Sequence, residues 1–554
     1  MKSFKKSLLL AISGIFAMSL SGCSIQDLMF WKKKGDENQE DDTPVNKDPL
    51  VIPAVDVEHL NITLPELPTY NQGAIKSDDT YDYIDLYEIS DFHGIVDYRP
   101  SDSEAYLGLA KLATYFNQKR ALNEGGTLVL SSGDMFQGSA DSNSTRGFMV
   151  NYAMHYMGFD AMAVGNHEFD WTTEWLKKNA ELKYGTHEIP YLGINILEKE
   201  SGEIPSFIKK STIVERGKYK IGIIGAIGED LESSILYSCV KDYDFVKEGE
   251  LISAEAARLR SEDGCDVVVL LEHQGLTSIP VVTGVDAIFG GHAHVNKKES
   301  VGTIPAVATK NYGRSVAHIG LKINKETAEV SVKSSEYDVM TNTKANNLED
   351  NAGIVSIMSQ YAPSINSIKN IELGKAVDDL AFDNALKNIC TRTMYDRAYE
   401  LAQPNEQIDE SKILCAFHNV NGGIRDDIKA GKITYGSVYS AFPFDNEVVL
   451  LQASGALLKT KLRNFKELGV YRLFKTNSDI NADETYYIVT TDYLALGTFN
   501  DVSTGLDEID DSDLIRTGLI VRDIVAEKLY KLDKIKTADF SNSEQCYKNI
   551  PMTF

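Results

Sequence analysis

One feature of the sequence constrains the fold more than any other. From residue 81 to about residue 335, apolar strand-like runs alternate regularly with amphipathic helix-like stretches. Helices are predicted at 105–121 and 251–262, and in "GFMVNYAMHYMG" and "TTEWLKKNAELK". The strand-like runs are "YIDLYEIS", "TLVLSS", "AMAV", "KIGIIGAI", "DVVVLL" and "DAIFG". Near-continuous apolar strands alternating with helices are typical of a parallel sheet that helices cover. The runs "VAHIGLKI" and "AEVSVKSSEYDV" have no helix between them, which predicts an antiparallel end to a layered α/β domain.

The same pattern divides the 554 residues into two α/β units. The first unit extends over 81–340, and residues 341–370 are predicted to form a connecting segment with a helix. A second, smaller α/β unit is predicted over 371–554.

The net charge of −25 disfavours a nucleic-acid polymer as a partner. A nucleic-acid polymer calls for a basic surface, and this chain carries 81 acidic against 56 basic residues. A small phosphate substrate remains compatible with this charge, because a bound metal ion reverses the local field. We therefore expect a small-molecule partner and no nucleic-acid polymer.

Polar side chains collect where the predicted strands end. In an open α/β sheet the carboxyl ends of the strands share one edge, where ligands bind. Five of the ten histidines lie in these segments, together with carboxylates and an amide. The residues concerned are Asp91, His93, Asp134, Asn166, His167, Glu168, Asp170, His273, His292 and His294. A single histidine at a strand end is usually structural, but this convergence predicts a metal site.

Two divalent cations would explain these residue types. Cations roughly 3.5–4 Å apart can clamp a phosphoryl group and generate a hydroxide between them. One carboxylate must then bridge the two ions, and mixed imidazole and oxygen ligands suit zinc, manganese or iron. A further imidazole that binds no metal can stabilise charge or protonate the leaving oxygen, if an acid orients it. His167 and Asp170 have the spacing for that pair.

The motifs "SDFHG", "SSGDMFQGS", "GNHEFD", "LLEHQG" and "FGGHAH", in this order, resemble those of the calcineurin-like metallophosphoesterases, most of all the branch with bacterial 5′-nucleotidases and UDP-sugar hydrolases. The resemblance implies a layered α/β-β-α sandwich for the first unit. It implies one metal held by Asp91, His93, Asp134 and His294, and a second held by Asp134, Asn166, His273 and His292, with Asp134 bridging. His167 and Asp170 match the catalytic dyad, whereas Glu168 is interpreted as a spacer with a solvated or locally bonded carboxylate.

The second unit resembles the C-terminal domain of the same nucleotidases over "NVNGGIRDDIKAGKITYGSVYSAFPFDNEVVLLQASG". By this resemblance Arg425 would bind phosphate or the sugar-phosphate. Phe444 and Tyr493 would hold the base between their rings, and Asn446 would bond to its edge. The alternative is that both aromatic residues belong to the core.

The chain departs from this family at two places in the second unit. The stretch "GKAVDDLAFD" contains none of the arginines that the family often has there. Lys375 could replace them only as a point charge, because an ammonium group cannot form the two parallel hydrogen bonds of a guanidinium. The stretch "ALGTFND" replaces a "GGDGY"-like loop after the second aromatic residue. His418, near the Arg425 loop, is interpreted as a structural residue.

The first 22 residues have the pattern of a secretory signal. Three lysines precede the apolar run "SLLLAISGIFAMSLSG", which is short for a membrane span, and no later run is long enough. The ending "LSGC" resembles a bacterial lipobox, which implies cleavage before Cys23 and lipidation of its thiol; an ordinary secretory signal is the alternative. Residues 23–80 are expected to form a tether whose apolar part, "LVIPAVDVEHLNITLPELP", can pack on the body. We expect an extracytoplasmic protein that is lipid-anchored to a bacterial cell membrane.

The cysteines after Cys23 are scattered, without paired spacing, and predict no disulfide framework. Cys265 and Cys415 lie in apolar strand-like runs and are expected to be buried.

These observations predict a monomeric metal-dependent phosphohydrolase of nucleotide catabolism. A metal-bridging hydroxide would attack phosphorus and release phosphate from a nucleotide. The same fold leaves open a 2′,3′-cyclic nucleotide phosphodiesterase, a UDP-sugar pyrophosphatase or a thiosulfohydrolase-like enzyme. A surface binding lipoprotein with a vestigial site is a further alternative, which the intact set of predicted ligands disfavours.

Overall fold

The structure is a computed structural model that describes residues 48–540 except 54, 72, 102, 403–407, 421, 457, 459–467, 473–479 and 497–513. The predicted signal segment, Cys23, Cys546 and most of "ALGTFND" lie outside the described residues. Cys239, Cys265, Cys390 and Cys415 are buried free thiols, which confirms the expected burial of Cys265 and Cys415. Within the described part of the chain, no helix combines the length and the hydropathy that crossing a bilayer requires.

The strands, in chain order, are β1 (Tyr81–Glu88), β2 (Thr127–Ser131), β3 (Ala161–Ala163), β4 (Tyr191–Leu192), β5 (Ile196–Glu198), β6 (Ser211–Arg216), β7 (Tyr219–Ile227), β8 (Tyr243–Phe245), β9 (Val267–His273), β10 (Ala287–Gly290), β11 (Lys297–Val301), β12 (Ile304–Ala308), β13 (Ser315–Asn324), β14 (Val330–Val339), β15 (Glu372–Ala376), β16 (Ile413–Asn419), β17 (Gly431–Thr434), β18 (Glu447–Ser454), β19 (Leu468–Arg472), β20 (Thr485–Thr491), β21 (Leu514–Ile520) and β22 (Asp533–Ile535).

The α-helices are α1 (Gly108–Arg120), α2 (Ala140–Asn143), α3 (Phe148–Met157), α4 (Thr172–Ala180), α5 (Tyr237–Val240), α6 (Gly249–Ser261), α7 (Asn342–Asn346), α8 (Ala352–Lys369), α9 (Lys387–Ala402), α10 (Tyr435–Ala441), α11 (Asp492–Leu496), α12 (Val521–Leu532) and α13 (Thr537–Phe540).

Two facing sheets form the first half of the molecule. The first sheet has the order β14-β13-β1-β2-β3-β4, and the second has the order β11-β12-β10-β9-β7-β6. Strands β1 to β4 are parallel, as are β7, β9, β10 and β12, whereas β13 and β14 pair antiparallel as predicted. The inward faces of both sheets share one apolar core, which includes Leu86, Leu130, Ile223, Val269 and Phe289.

Helices cover the outer face of each sheet. Helices α1, α3 and α8 pack in the core outside the first sheet, and α6 packs in the core outside the second. Every residue of β2 and of β9 is buried, because these central strands are covered on both faces. The expected layered α/β-β-α sandwich is therefore confirmed.

The second half is a separate mixed α/β arrangement. Its larger sheet has the order β19-β16-β20-β18-β21, and a smaller one has the order β17-β15-β22. Helices α9 and α12 share a core with β16 and β18. Helix α8 lies in the predicted connecting segment and begins at an Asn351 cap.

Part of the segment expected to be a tether packs on the body. Leu60, Ile62, Leu64 and Leu67 contact the core outside the first sheet. Leu50, Ile52 and Val55 contact the main core of the second half. We call residues 50–67 the N-terminal strap. The strap thus contacts both halves, as the apolar composition of this stretch allows.

Candidate metal centre and substrate cavity

The predicted ligands come from strand ends in both facing sheets. Asp91, Asp134 and Asn166 follow β1, β2 and β3 of the first sheet. His273 is the last residue of β9 in the second sheet, and His292 and His294 follow β10. The two sheets therefore deliver these side chains to one edge of the sandwich, as parallel strands do in α/β folds.

Two groups of side chains have the geometry of metal ligands. Asp91, His93 and His294 form the first group, and Asp134, His273 and His292 form the second, each with ligand atoms within 4.8 Å of one another. In the first, Nε2 of His294 lies 3.2 Å from Nε2 of His93 and 3.3 Å from Oδ1 of Asp91.

Asn166 and Asp134 complete the second group. Oδ1 of Asn166 lies 3.0 Å from Nε2 of His273 and 3.1 Å from Nδ1 of His292. Oδ2 of Asp134 lies 3.1 Å from Nε2 of His273. The structure thus brings all seven predicted ligands together, while the bridging role of Asp134 stays a prediction.

The surroundings of two histidines fit a metal. Nδ1 of His93 lies 2.9 Å from the carbonyl oxygen of Gln137, and Nδ1 of His273 lies 2.7 Å from that of Ser132. A carbonyl oxygen can only accept a hydrogen bond, so Nδ1 is a protonated donor in both rings, and Nε2 is the nitrogen that can bind a metal ion once it carries no proton. Imidazoles with carboxylate and amide oxygens form a donor set suited to zinc, manganese or iron.

Burial and neighbouring charges shift the pKa values of the histidines at the centre. Burial disfavours a charged His93 and lowers its pKa well below the ordinary value. Burial acts in the same direction on His273, but the Asp134 carboxylate outweighs it and raises the pKa of His273 to about 10. The negative charge of Asp134 therefore favours a positive charge at the second group.

The ligand loops carry unusual backbone strain. Eleven non-glycine residues have positive φ within the described ranges, and five of them are predicted ligands. These five are Asp91, His93, Asp134, His292 and His294, with φ between 50° and 64°. Each such residue costs about 1–3 kcal/mol and persists only where its surroundings enforce it, often at functional sites.

His167 and Asp170 form a buried pair next to this centre. Nδ1 of His167 lies 2.8 Å from Oδ2 of Asp170, and the two side chains are 13% and 15% exposed. Burial disfavours the imidazolium, but Asp170 and Asp134 outweigh it and raise the pKa of His167. The pair leaves Nε2 of His167 as the nitrogen that can meet a substrate.

Glu168 is not solvated, and its hydrogen bonds extend beyond the local turn. Its carboxylate accepts N–H bonds from Gly165 and Asp134, both 2.8 Å, and from Met135 at 2.9 Å. Burial and Asp134 raise the pKa of Glu168 to about 7. The interpretation as a spacer is therefore incomplete, because this side chain joins the loop after β2 to the loop after β3. An acid three residues after the start of a turn is the capping pattern that could have revealed the local bond.

A cavity of about 200 Å³, the first cavity, opens at the second ligand group between the two halves. Its lining includes all four predicted substrate-binding residues, namely Arg425, Phe444, Asn446 and Tyr493. Asn166, His167, Asp170 and His292 also line it. The structure thus joins the predicted dyad and the predicted base site in one space, although their roles remain predictions.

Phe444 contacts the dyad directly. Its ring stacks on His167 with the centroids 5.7 Å apart, and the Arg425 guanidinium lies 5.2 Å from its centroid.

Two further side chains of the second half, Lys375 and His418, are not part of the lining of the first cavity. Lys375 is exposed on β15. His418 is buried, with Nδ1 2.7 Å from the carbonyl oxygen of Asn419, and burial lowers its pKa to about 4. A neutral, buried imidazole agrees with a structural role.

Ion pairs that the sequence did not reveal hold the segment 443–446. Asp445 lies 3.1 Å from Nη1 of Arg146 in the first half and 2.6 Å from Nη2 of Arg522 on α12. Asn143 and Gln137 donate to the carbonyl oxygen of Pro443 at 2.9 and 3.3 Å. These contacts position Phe444 and Asn446 over the centre.

Residues 85–296 match the family model described as calcineurin-like phosphoesterase, and residues 383–474 match the one described as 5′-nucleotidase, C-terminal domain. The chain is 26% identical to the "Probable 5′-nucleotidase" of Treponema pallidum (strain Nichols), over 64% of this chain and 68% of that protein. It is 24% identical to the "Endonuclease YhcR" of Bacillus subtilis (strain 168), over 63% of this chain but only 29% of that protein.

Among solved structures, the 5′-nucleotidase precursor from Thermus thermophilus is similar with a TM-score of 0.66 and 20% identity, over 82% of this chain and 97% of that one. That similarity establishes a shared fold. Together the matches show a metallophosphoesterase domain followed by a 5′-nucleotidase-type C-terminal domain, and they indicate a phosphoester hydrolase.

Proposed function

We propose that this chain, in which a calcineurin-like phosphoesterase domain precedes a 5′-nucleotidase C-terminal domain, releases phosphate from 5′-nucleotides with two divalent metal ions. One observation carries the proposal. Asn166 and His292, two of the residues proposed for the second ion, line the first cavity together with the His167–Asp170 pair and the four residues proposed to bind substrate.

The residues proposed to hold the first ion are Asp91, His93, Asp134 and His294. Those proposed for the second are Asp134, Asn166, His273 and His292. When bound, two such cations neutralise the phosphoryl oxygens and activate a water molecule for attack. The strained loops and the Glu168 bonds support this assignment, because they fix the ligands before any ion arrives.

We assign the proton donation to His167. Asp170 holds Nδ1, so Nε2 can donate a proton to an oxygen that develops charge during the reaction. The carboxylate also stabilises the imidazolium form, as the raised pKa of His167 indicates. The phosphate and the sugar would lie near Arg425, and the base near Phe444, Asn446 and Tyr493.

Membrane attachment through Cys23 is the remaining part of the proposal. The "LSGC" ending supports it, although residues 1–47 lie outside those described. Cys23→Ser is expected to leave the protein unlipidated and released or misprocessed, as fractionation of cells would show. Correct processing and wild-type membrane content in this variant would contradict the lipobox.

The decisive experiment measures phosphate release from a panel of 5′-nucleotides with zinc, manganese and iron added in turn. We expect metal-dependent release from at least one nucleotide, and loss of it in Asp134→Ala. The panel includes 2′,3′-cyclic nucleotides, UDP-glucose, a thiosulfonate-type substrate and single-stranded DNA. Metal-dependent turnover of one of these, with no turnover of any 5′-nucleotide, would overturn the proposal in favour of that activity.

A further inference from the structure

A second cavity of about 130 Å³ opens at the other ligand group. His93, a predicted ligand of the first ion, is part of its lining, whereas Asn166 and His292 line the first cavity. Gln137, Arg425 and Pro443 line both cavities. The two cavities therefore flank the candidate metal centre, one beside each ligand group.

Two stacked tyrosines line this second cavity. The rings of Tyr106 and Tyr312 stack with their centroids 5.6 Å apart, and the Tyr312 ring lies 5.6 Å from that of His93. The Arg314 guanidinium lies 5.6 and 5.7 Å from the two tyrosine centroids and supports the stack.

The backbone of Tyr312 is strained. Its φ is 65°, which a bulky residue rarely adopts, and its N–H donates to the carbonyl oxygen of the ligand Asp91 at 2.8 Å. The surrounding contacts therefore hold the Tyr312 ring beside His93, although a glycine would adopt the same backbone more easily.

The charges of the second cavity suit an anionic ester. Arg99 and Arg425 line it together with one acid, Asp426. Arg99 is exposed, and Arg425 lines both cavities. A phosphate monoester bound at the centre, with its nucleoside in the first cavity, would leave this second cavity without an organic group.

We propose that the second cavity binds the second ester group of a phosphodiester, with the ring of that group packed against Tyr106 and Tyr312. This inference rests on the proposed function, because it places the attacked phosphorus at the same centre. Hydrolysis consumes one water molecule. The water oxygen forms the new bond to phosphorus, one ester oxygen leaves with the bonding electrons and takes up a proton, and the other ester bond remains.

The test compares thymidine 5′-(p-nitrophenyl) phosphate, a diester with two ring groups, with thymidine 5′-monophosphate. In Tyr106→Ala the ratio of kcat/KM for the diester to that for the monoester should fall about 5- to 150-fold, the range for one stacked ring. Tyr106→Phe should retain this ratio, because the ring remains, and Lys298→Ala, an exposed cation on β11, serves as the control.

Binding gives a readout that does not depend on turnover. The dissociation constant of the diester, measured by calorimetry with the metal-loaded His167→Ala protein so that hydrolysis is slow, should rise by a similar factor when Tyr106→Ala is added. An equal change for both substrates, or an unchanged dissociation constant, would overturn the second-group site. Turnover of the monoester with no diester binding would also overturn it and leave the proposed function intact. Absence of turnover of either substrate, with diester binding that depends on Tyr106, would instead overturn the proposed function alone.

Discussion

At the scale of single residues, Glu168 shows how one carboxylate can organise a metal site without being a ligand. It accepts N–H bonds from Gly165, Asp134 and Met135, so it fixes two ligand loops at once. Gly165 makes the close approach possible, because a Cβ there would lie 2.3 Å from Oδ1 of Asp134. The carboxylate needs both oxygens for these bonds.

Glu168→Gln tests this role. The glutamine amide has one acceptor oxygen, and its NH₂ group would face an N–H donor, so at least one buried donor loses its partner. We expect the free energy of unfolding to fall by about 1–3 kcal/mol and metal affinity to fall with it, as measured by denaturation and metal titration. Glu181→Gln, at an exposed position, should change stability by less than about 0.5 kcal/mol. Wild-type stability and metal affinity in Glu168→Gln would contradict the role.

The second prediction at this scale concerns His167. If His167 donates a proton or stabilises charge in the transition state and binds no metal, His167→Ala should lower kcat by roughly 10²- to 10⁴-fold. Metal content should stay near the wild-type value. Steady-state kinetics and metal analysis measure both. His318→Ala is a matched control, since His318 has its own acid partner, Asp85, at 2.8 Å, outside both cavities. Loss of one metal equivalent in His167→Ala would make His167 a ligand.

At the scale of elements, the segment 443–446 is the piece that joins the two halves at the site. It lies between α10 and β18 and is held by Arg146 from the first half and by Arg522 from α12. Arg522 is itself 7% exposed and has the Tyr439 ring 3.8 Å from its guanidinium. A short segment with so many side-chain partners holds Phe444 on His167.

Phe444→Ala removes the ring from this segment. If the ring stacks on the base, kcat/KM for nucleotides should fall about 5- to 150-fold, which corresponds to roughly 1–3 kcal/mol. Hydrolysis of p-nitrophenyl phosphate should fall less, because it depends on the metal centre and His167 alone. Tyr399→Ala, on α9 outside both cavities, is the control for loss of an aromatic ring. Equal losses on both substrates, with a lower melting temperature, would instead indicate a core aromatic.

At the scale of the whole molecule, the N-terminal strap contacts both halves. Its apolar side chains join two different cores, and the carbonyl oxygen of Pro65 accepts a hydrogen bond from Tyr184. A segment that contacts both halves opposes their separation, because separation would expose apolar surface on the strap.

Shortening the chain tests the strap. A protein that begins at residue 68 should melt at a lower temperature than one that begins at residue 48, by roughly 2–4 °C for each kcal/mol of stability that the strap contributes. Scanning calorimetry of the two proteins measures the difference, and the longer one is the control that retains the strap. Identical melting curves would show that the strap adds no stability.

Much of the first half was predictable because its signals are local. Strands such as β1, β2 and β9 were evident from apolar runs, and helices such as α1 and α6 from their amphipathic periodicity. Short or half-exposed strands, including β4, β5 and β11, were missed because a few residues carry no clear period.

The sequence by itself determined the α/β class, the layered first half and the set of side chains that converge at the strand ends, because periodicity and composition act between neighbours in the chain. Only the tertiary structure decided which remote groups meet. Glu168 bonds to the loop of Asp134, more than 30 residues away, and Phe444 stacks on His167 from the other half of the chain. Such contacts depend on how two sheets and two halves pack, and no local pattern encodes that packing.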